Sequence, residues 1–264
     1  MVVAGIDIGS VCTKTVLLDD NLRIVSFSIL RSGSLFEGAA ENSLNEALRL
    51  SGLNRGDIAY TIATGYGRVK VPFADAQITE ITCHARGAHS VFPEARTVID
   101  IGGQDSKAIS LGQEGHVSSF VMNDKCAAGT GRFLEVMAGV LEVDLEEMAG
   151  MSLHSKEQLE ISSMCTVFAE TEVVSLLANG CQRADIAQGL YLAVARRITG
   201  MVGQVGLRER VAMTGGVAKN AGVVRALQGK LGTTLLISDE PQIAGALGAA
   251  IIASQRCCID SDGS

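Results

Sequence analysis

The sequence predicts an α/β fold of two duplicated lobes, each a βββαβα unit, with a cleft between them. An apolar strand that ends in Asp7-Ile8-Gly9-Ser10 opens the chain, and a second apolar strand ends in Asp100-Ile101-Gly102-Gly103. In both copies a lysine lies seven residues after the aspartate, and a hairpin pattern follows. Asp-Ile-Gly is short enough to recur by chance, but strand, loop, lysine and hairpin all match. The match indicates an internal repeat and therefore two similar lobes.

Apolar periodicity and turn residues predict the elements of each lobe. The first lobe, residues 1–94, has predicted strands at 2–8, 15–18, 24–30 and 60–63 and predicted helices at 35–50 and 78–92. The second lobe, residues 95–242, has predicted strands at 96–101, 107–111, 116–122, 210–213 and 234–237 and predicted helices at 130–141, 166–178, 186–205 and 221–231. A final helix is predicted over 243–254, and we expect the segment 243–264 to pack back on the first lobe.

Composition and charge exclude several classes of function. The net charge is −7 and no run of lysine and arginine occurs, which argues against binding to nucleic acid or to anionic membranes. No apolar run reaches the roughly 18 residues of a membrane span. The N-terminus lacks the basic segment and cleavage site typical of a signal peptide. We therefore expect a cytoplasmic protein.

Each Asp-Ile-Gly loop has the features of a phosphate-binding turn. One such loop alone would be an ordinary hairpin turn, but two that face each other across a cleft could hold a polyphosphate through backbone N–H groups. Asp7 and Asp100 end their strands there, so we expect them to be catalytic and to hold Mg²⁺, mostly through water. Gln104 or Asp105 could orient an attacking water. The predicted contacts to the phosphates are Gly9, Ser10, Val11, Cys12, Thr13, Lys14, Gly102, Gly103 and Lys107.

A third glycine loop joins a predicted strand to a predicted helix. Its sequence is Met213-Thr214-Gly215-Gly216-Val217-Ala218-Lys219-Asn220. A tight strand-to-helix turn is the simpler interpretation of this loop alone. Together with the other two loops it favours a nucleoside site, because a flat ligand can approach the glycines beside a helix N-terminus. The predicted contacts are Gly215, Gly216, Ala218 and Asn220.

The seven cysteines show neither a disulfide framework nor a local metal motif, because their number is odd and no C-x-x-C occurs. Cys126 and Cys165 each lie near the start of a predicted helix, where the helix dipole favours a thiolate. Two such thiolates per chain would give four in a symmetric dimer, the number that a [4Fe–4S] cluster takes. The alternative is that both are small buried apolar residues.

The other cysteines and the histidines carry no predicted role. Cys83 and Cys181 fall on helical segments and are expected to pack there, whereas Cys257 and Cys258 are expected in a polar tail after the last helix. The histidines show no metal-ligand spacing, and His84 is expected on a helix surface together with His89.

Finer motifs resemble a known family over nearly the whole chain. The order of the three loops resembles the acetate and sugar kinase, Hsp70 and actin superfamily, which implies an actin/hexokinase/Hsp70-like ATPase fold. The chain is also similar to the BadF/BadG/BcrA/BcrD-type ATPases. These include the activator component (component A) of 2-hydroxyacyl-CoA dehydratases, the ATPase subunits of benzoyl-CoA reductase and the reductases of double-cubane-cluster proteins. The segments that carry this resemblance are 63–68, 98–107, 123–133 and 165–170.

The resemblance implies a reductive activator that works as a homodimer. Cys126 and Cys165 of two subunits would hold one [4Fe–4S] cluster, and ATP or ADP with Mg²⁺ would occupy the cleft. ATP binding and hydrolysis would drive a single low-potential electron to a partner iron–sulfur dehydratase or reductase. Reduced ferredoxin or flavodoxin would be the electron donor. Gln242 would lie beside the adenosine loop and contact the nucleotide.

Two other functions stay open on the sequence alone. A small-molecule kinase of the same superfamily would need a general base near the γ-phosphate and a pocket for its acceptor. An actin-like regulatory ATPase would need surfaces for self-association. Neither function has a use for the two cysteine motifs.

Overall fold

Two five-stranded sheets form the framework of the computed structural model, which describes residues 1–33, 35–162 and 165–262. The strands of the first sheet are β1 (Val2–Ile8), β2 (Cys12–Leu18), β3 (Ile24–Arg31), β4 (Ile58–Thr64) and β5 (Ala76–Gln77). Their order across the sheet is β3-β2-β1-β4-β5. Strands β1, β2 and β3 are antiparallel, and β4 joins β1 in parallel.

The second sheet repeats this plan. Its strands are β6 (Thr97–Ile101), β7 (Ser106–Leu111), β8 (Val117–Asn123), β9 (Val211–Thr214) and β10 (Leu235–Leu236). Their order is β10-β9-β6-β7-β8, so β6 corresponds to β1 and β9 to β4. The pairing register repeats as well, because Asp7 lies opposite Lys14 and Asp100 lies opposite Lys107. The predicted duplicated α/β architecture is confirmed.

Eight α-helices complete the described part of the chain. They are α1 (Phe36–Ser51), α2 (Glu80–Val91), α3 (Gly131–Val140), α4 (Leu145–Met151), α5 (Thr166–Ala178), α6 (Arg183–Val205), α7 (Ala221–Leu231) and α8 (Ala244–Asp262). None of them is both long and apolar enough to cross a membrane.

Three differences from the predicted elements have simple causes. Helix α4 and the two-residue strand β5 were not predicted, because both are too short to show a period. Asp144 caps α4 by accepting a hydrogen bond from the Glu147 amide at 2.7 Å. The prediction that Cys257 and Cys258 follow the last helix is wrong, because α8 continues through both. The end of the predicted segment, residues 263 and 264, lies outside the described residues.

The helices bury separate faces of the two sheets. Helix α1 covers one face of the first sheet and α8 covers the other, packing on β1, β2 and β4. The largest core lies in the second lobe, where α3, α5, α6 and α7 pack together and against β6 and β7. Helix α2 packs on α8 and also on β6, β7 and β9. Helices α2 and α8 therefore lie between the two sheets.

Helices α2 and α8 cross with their backbones almost in contact. A Cβ atom added to Gly87 would lie 1.9 Å from the Ala244 carbonyl oxygen, and one added to Gly248 would lie 1.8 Å from the Cys83 carbonyl oxygen. No side chain fits at either position, so glycine is required for this close approach. The crossing joins the first lobe, which α8 covers, to the second lobe, which α2 covers.

Candidate nucleotide and cysteine sites

Two aspartate–lysine pairs lie at the base of the cleft. Lys14 Nζ is 3.0 Å from Asp7 Oδ2, and Lys107 Nζ is 3.0 Å from Asp100 Oδ2. Lys107 also pairs with Asp105. Burial alone would lower the pKa of Lys14, but the charge of Asp7 and the hydrogen bond to it, together with more distant carboxylates, outweigh burial and raise that pKa above its ordinary value. Nearby carboxylates raise the pKa of Lys107 in the same way. Both lysines therefore stay charged and neutralise part of the aspartate charge.

The two aspartates differ in their remaining oxygen. Among the residues that the structure describes, Asp7 Oδ1 is buried and has no hydrogen-bond partner. Asp100 Oδ1 accepts a hydrogen bond from Thr214 Oγ1 at 2.8 Å and lies 3.3 Å from His84 Nδ1. Burial would raise the pKa of Asp100, but the attraction of His84 and Lys107 outweighs it and holds that pKa below its ordinary value.

Glu80 and His84 are site residues that the sequence prediction missed. The prediction that His84 lies on a helix surface is wrong, because the residue is only 3% exposed and faces Asp100. Glu80 is the first residue of α2, and its Oε1 lies 2.8 Å from Lys107 Nζ. Burial raises the pKa of Glu80, although Lys107 opposes this shift. The i, i+4 spacing of Glu80 and His84 puts both side chains on one face of α2, but it does not show what that face packs against.

Glu80, His84 and Asp100 bring ligand atoms within 4.8 Å of one another, as a metal site would. However, Lys107 Nζ contacts both carboxylates of this group, at 2.8 and 3.0 Å. The ammonium group already supplies the positive charge that a metal ion would bring. The arrangement is better described as a buried ion-pair network than as a direct metal site.

The first two predicted loops approach each other across the cleft. A Cβ atom added to Gly103 would lie 2.4 Å from Val11 Cγ2, so the loops of the two lobes are in contact. The Gly9 amide donates to the Cys12 carbonyl at 3.1 Å, and the Gly102 amide donates to the Asp105 carbonyl at 2.9 Å. Both loops are thus tight turns closed by one backbone hydrogen bond.

Other predicted residues of these loops have differing environments. Thr13 is buried, and its hydroxyl lies 2.9 Å from Ser32 Oγ, which in turn donates to the Gly9 carbonyl at 2.6 Å. Thr13 therefore supports the first loop from within the lobe. Gln104 is exposed, whereas Ser10 is half-buried.

The third loop and Gln242 lie together. A Cβ atom added to Gly216 would lie 3.0 Å from Gln242 Nε2, and the Gly215 amide donates to the Pro241 carbonyl at 2.9 Å. Asn220 Oδ1 caps α7 by accepting from the Gly222 amide at 3.0 Å, and Ala218 is buried. A cavity of about 520 Å³ adjoins this loop. Its lining includes Gly216, Lys219, Asn220, Arg225, Glu146 and Leu153.

Cys126 and Cys165 are both exposed thiols. Cys165 is the N-cap of α5, so the dipole of that helix acts on it directly. Cys126 lies five residues before α3, in a loop that Asn123 holds by donating to the Cys126 carbonyl at 2.8 Å. The prediction of a helix N-terminus therefore fits Cys165 better than Cys126.

Backbone hydrogen bonds join the second predicted phosphate loop to the helix that follows Cys126. The Gly131 amide donates to the Gly102 carbonyl at 2.9 Å, and the Arg132 amide donates to the Gly103 carbonyl at 2.7 Å. These amides belong to the first turn of α3, where N–H groups have no partner within the helix. The second predicted phosphate loop is thus tied to the segment that carries Cys126.

Comparison with known proteins agrees with this geometry. Residues 4–253 match the family described as BadF/BadG/BcrA/BcrD ATPase. The chain belongs to this ATPase family. The match includes all three glycine loops as well as Cys126 and Cys165, so the predicted resemblance to the dehydratase activators is confirmed.

Named members of the BadF/BadG/BcrA/BcrD family are similar over their full length. The activator of lactoyl-CoA dehydratase from Anaerotignum propionicum is 52% identical over 253 residues, covering 96% of this chain and 97% of that protein. The activator of 2-hydroxyisocaproyl-CoA dehydratase from Clostridium difficile, solved with bound ADPNP, superposes with a TM-score of 0.93 at 42% identity. That superposition covers 100% of this chain and 98% of the solved one.

More distant structures share the fold of this ATPase family. A ROK family glucokinase from Streptomyces griseus superposes with a TM-score of 0.58 at 14% identity, covering 97% of this chain and 100% of that one. Identity this low supports the fold alone. The predicted actin/hexokinase-like architecture is confirmed.

Proposed function

We propose that this ATPase is a reductive activator. It passes a single low-potential electron from a [4Fe–4S] cluster, held between two copies of the chain, to a partner iron–sulfur enzyme of the 2-hydroxyacyl-CoA dehydratase type. The observation that carries the proposal is the pair of hydrogen bonds from Gly131 and Arg132 to Gly102 and Gly103. Because of it, a change at the second phosphate loop reaches the segment of Cys126.

The nucleotide would be held between the lobes. Asp7 Oδ1 suits a water of the Mg²⁺ hydration shell, since a buried carboxylate oxygen without a partner needs a donor. Asp100 would face the same cation from the other lobe, and Lys14 and Lys107 would face the phosphates. Mg²⁺ would neutralise the phosphate charge. Gln104 or Asp105 would orient the attacking water, and Gln242 with the third loop would contact the nucleoside.

The cysteine pair fits an iron–sulfur cluster shared between subunits. Both thiols are exposed, on segments that precede α3 and α5, and those two helices pack on each other. Two thiolates per chain make four in a dimer, the ligand number of a [4Fe–4S] cluster. The cluster would supply one-electron chemistry, while Cys126 and Cys165 would fix its place on the surface of the second lobe.

The names of the relatives indicate which class of partner enzyme to expect. The relative with 52% identity is named an activator of lactoyl-CoA dehydratase, which favours a 2-hydroxyacyl-CoA dehydratase as acceptor over a reductase or a double-cubane protein. A reduced ferredoxin or flavodoxin would be the electron donor.

Iron analysis tests the shared cluster. Protein purified without oxygen should contain about two irons and two acid-labile sulfides per chain, since four of each are shared by two chains. Cys126→Ala and Cys165→Ala should lose both, while Cys258→Ala, which changes another exposed cysteine, should retain them. Absence of iron in anaerobic wild type that still hydrolyses ATP would contradict the redox function. It would favour the kinase or actin-like alternatives.

A further inference from the structure

His84 lies in a buried network that joins both lobes at the base of the cleft. It belongs to α2, and its Nδ1 lies 3.3 Å from Asp100 Oδ1 on β6 and 3.3 Å from Thr214 Oγ1 on β9. Its Nε2 is 3.7 Å from Glu80 Oε1. A Cβ atom added to Gly245 of α8 would lie 2.9 Å from this Nε2. The imidazole ring is therefore enclosed on both edges.

The direction of the hydrogen bonds follows from proton counting. Thr214 donates its only hydroxyl proton to Asp100 Oδ1 at 2.8 Å. Both groups near His84 Nδ1 can then only accept, so Nδ1 must carry a proton and donate. Asp100 Oδ2 accepts from Lys107 at 3.0 Å. Both oxygens of Asp100 are consequently held in fixed directions by side chains from three separate elements.

The first lobe contains the corresponding aspartate and threonine, but the α2 residue beside that threonine is not a histidine. Thr64 lies beside Asp7 as Thr214 lies beside Asp100, in matching positions of β4 and β9. Yet Asp7 Oδ1 accepts no hydrogen bond from the described part of the chain. The α2 residue that faces Thr64 is Cys83, whose thiol is only a weak donor. Adjacent residues of one helix thus face the matching threonines of the two lobes, and only one of them can orient an aspartate.

We propose that His84 is a positioning residue for ATP hydrolysis, which holds Asp100 in the orientation that the reaction needs. The inference rests on the proposed nucleotide site, and it assigns unequal tasks to the two aspartates. The carboxylate of Asp100 has a fixed orientation, which depends on His84 of α2. Asp7 keeps a free oxygen for the cation. Because α2 also packs on α8, His84 ties the aspartate of the second lobe to the helix pair between the sheets.

The first test compares two replacements of His84. His84→Leu removes the donor at similar volume, whereas the amide nitrogen of His84→Asn can reach the place of Nδ1 and donate to Asp100. We expect kcat for ATP hydrolysis to fall about tenfold or more in His84→Leu, with KM for MgATP within about threefold of wild type. His84→Asn should recover most of the lost rate. His89→Leu, on the same helix and outside the network, is the matched control.

A double-mutant cycle provides the second test. Thr214→Val removes the other donor to Asp100 Oδ1. If both donors act through this oxygen, the loss in the double variant His84→Leu/Thr214→Val should be smaller than the product of the two single losses. Thermal unfolding of each variant separates loss of rate from loss of fold.

Several outcomes would overturn the inference. One is equal kcat in His84→Leu and His84→Asn; others are a loss confined to KM or independent losses in the cycle. In each of these cases wild type still hydrolyses ATP, so the proposed function survives. A wild-type protein without ATPase activity would instead remove the proposed function itself.

Discussion

Asp7 and Asp100 occupy matching positions of the repeat, yet within residues 1–33, 35–162 and 165–262 one buried carboxylate oxygen of Asp7 has no partner, whereas both oxygens of Asp100 accept hydrogen bonds. A buried oxygen of this kind costs free energy unless a donor reaches it. The repeat makes Asp7 and Asp100 look equivalent, but their hydrogen bonding differs. Substitutions of the two residues should therefore change the Mg²⁺ dependence of ATP hydrolysis differently.

Asp7→Asn should impair the use of Mg²⁺ more than Asp100→Asn does. Asparagine at position 7 removes the charge beside the free oxygen, so the Mg²⁺ concentration for half-maximal ATPase activity should rise by about tenfold or more. Asp100→Asn should chiefly lower kcat, because it disturbs the network of Lys107 and His84. Magnesium titrations of ATP hydrolysis check both. Equal shifts in the two variants would contradict the division of tasks.

Nucleotide binding should protect two backbone amides in the segment after Cys126. The amides of Gly131 and Arg132 donate to Gly102 and Gly103, so a nucleotide that orders the second phosphate loop should slow their hydrogen exchange. Exchange measured by mass spectrometry with and without MgADP tests this, and peptides from α7 beyond its first turn serve as an internal control. Unchanged exchange in the peptide that spans residues 126–134, with nucleotide bound, would argue against coupling along this route.

Two glycine-to-alanine substitutions, one at the crossing of α2 and α8 and one in α7, should have opposite effects on stability. Gly248→Ala should destabilise the protein by about 3 kcal/mol or more, because its Cβ would lie 1.8 Å from the Cys83 carbonyl oxygen. Gly229→Ala, in α7, has no atom within 4 Å of the added Cβ and should stabilise by about 0.5–1 kcal/mol. Thermal or denaturant unfolding measures both. A tolerated alanine at position 248 would mean that the helices separate more easily than their contact suggests.

Cys83 should be inert to alkylation in the folded protein. Burial raises the pKa of its thiol from 9 to about 12, so at pH 8 only about one molecule in ten thousand carries the thiolate. In cluster-free protein treated with iodoacetamide, Cys126 and Cys165 should be modified and Cys83 should not, as peptide mass spectrometry would record. Rapid modification of Cys83 without unfolding would contradict its buried position.

The same shift predicts a dependence of stability on pH. The thiol of the unfolded chain ionises first, because its pKa lies below that of the folded state. The contribution of Cys83 is therefore fully present below pH 9 and is lost as pH rises towards 12. Unfolding free energies of wild type and Cys83→Ala, compared at pH 8 and pH 10.5, should converge at the higher pH. A difference in unfolding free energy that stays the same at pH 8 and pH 10.5 would contradict the raised pKa of Cys83.

The sequence was sufficient for the parts of this molecule that local pattern determines. Alternating apolar runs and glycine loops predicted the repeat, the strands of both sheets and the matching positions of Lys14 and Lys107, but not the ion pairs that these lysines form with Asp7 and Asp100. It was insufficient where chain segments far apart meet. Glu80 and His84 lie on a helix whose own sequence looks ordinary, and their role depends on the side of that helix that the second sheet covers. Only the tertiary structure brings His84 to Asp100.

The hydrogen bonds from Gly131 and Arg132 to the second predicted phosphate loop imply a reciprocal relation between the proposed cluster and the nucleotide. If MgATP changes the affinity of the cysteine segment for its cluster by some factor, cluster loading must change the affinity for MgATP by the same factor. Apoprotein and cluster-loaded protein would then bind nucleotide differently, although their clefts contain the same residues. If oxygen removed the proposed cluster, the affinity for nucleotide would therefore shift together with the loss of activity.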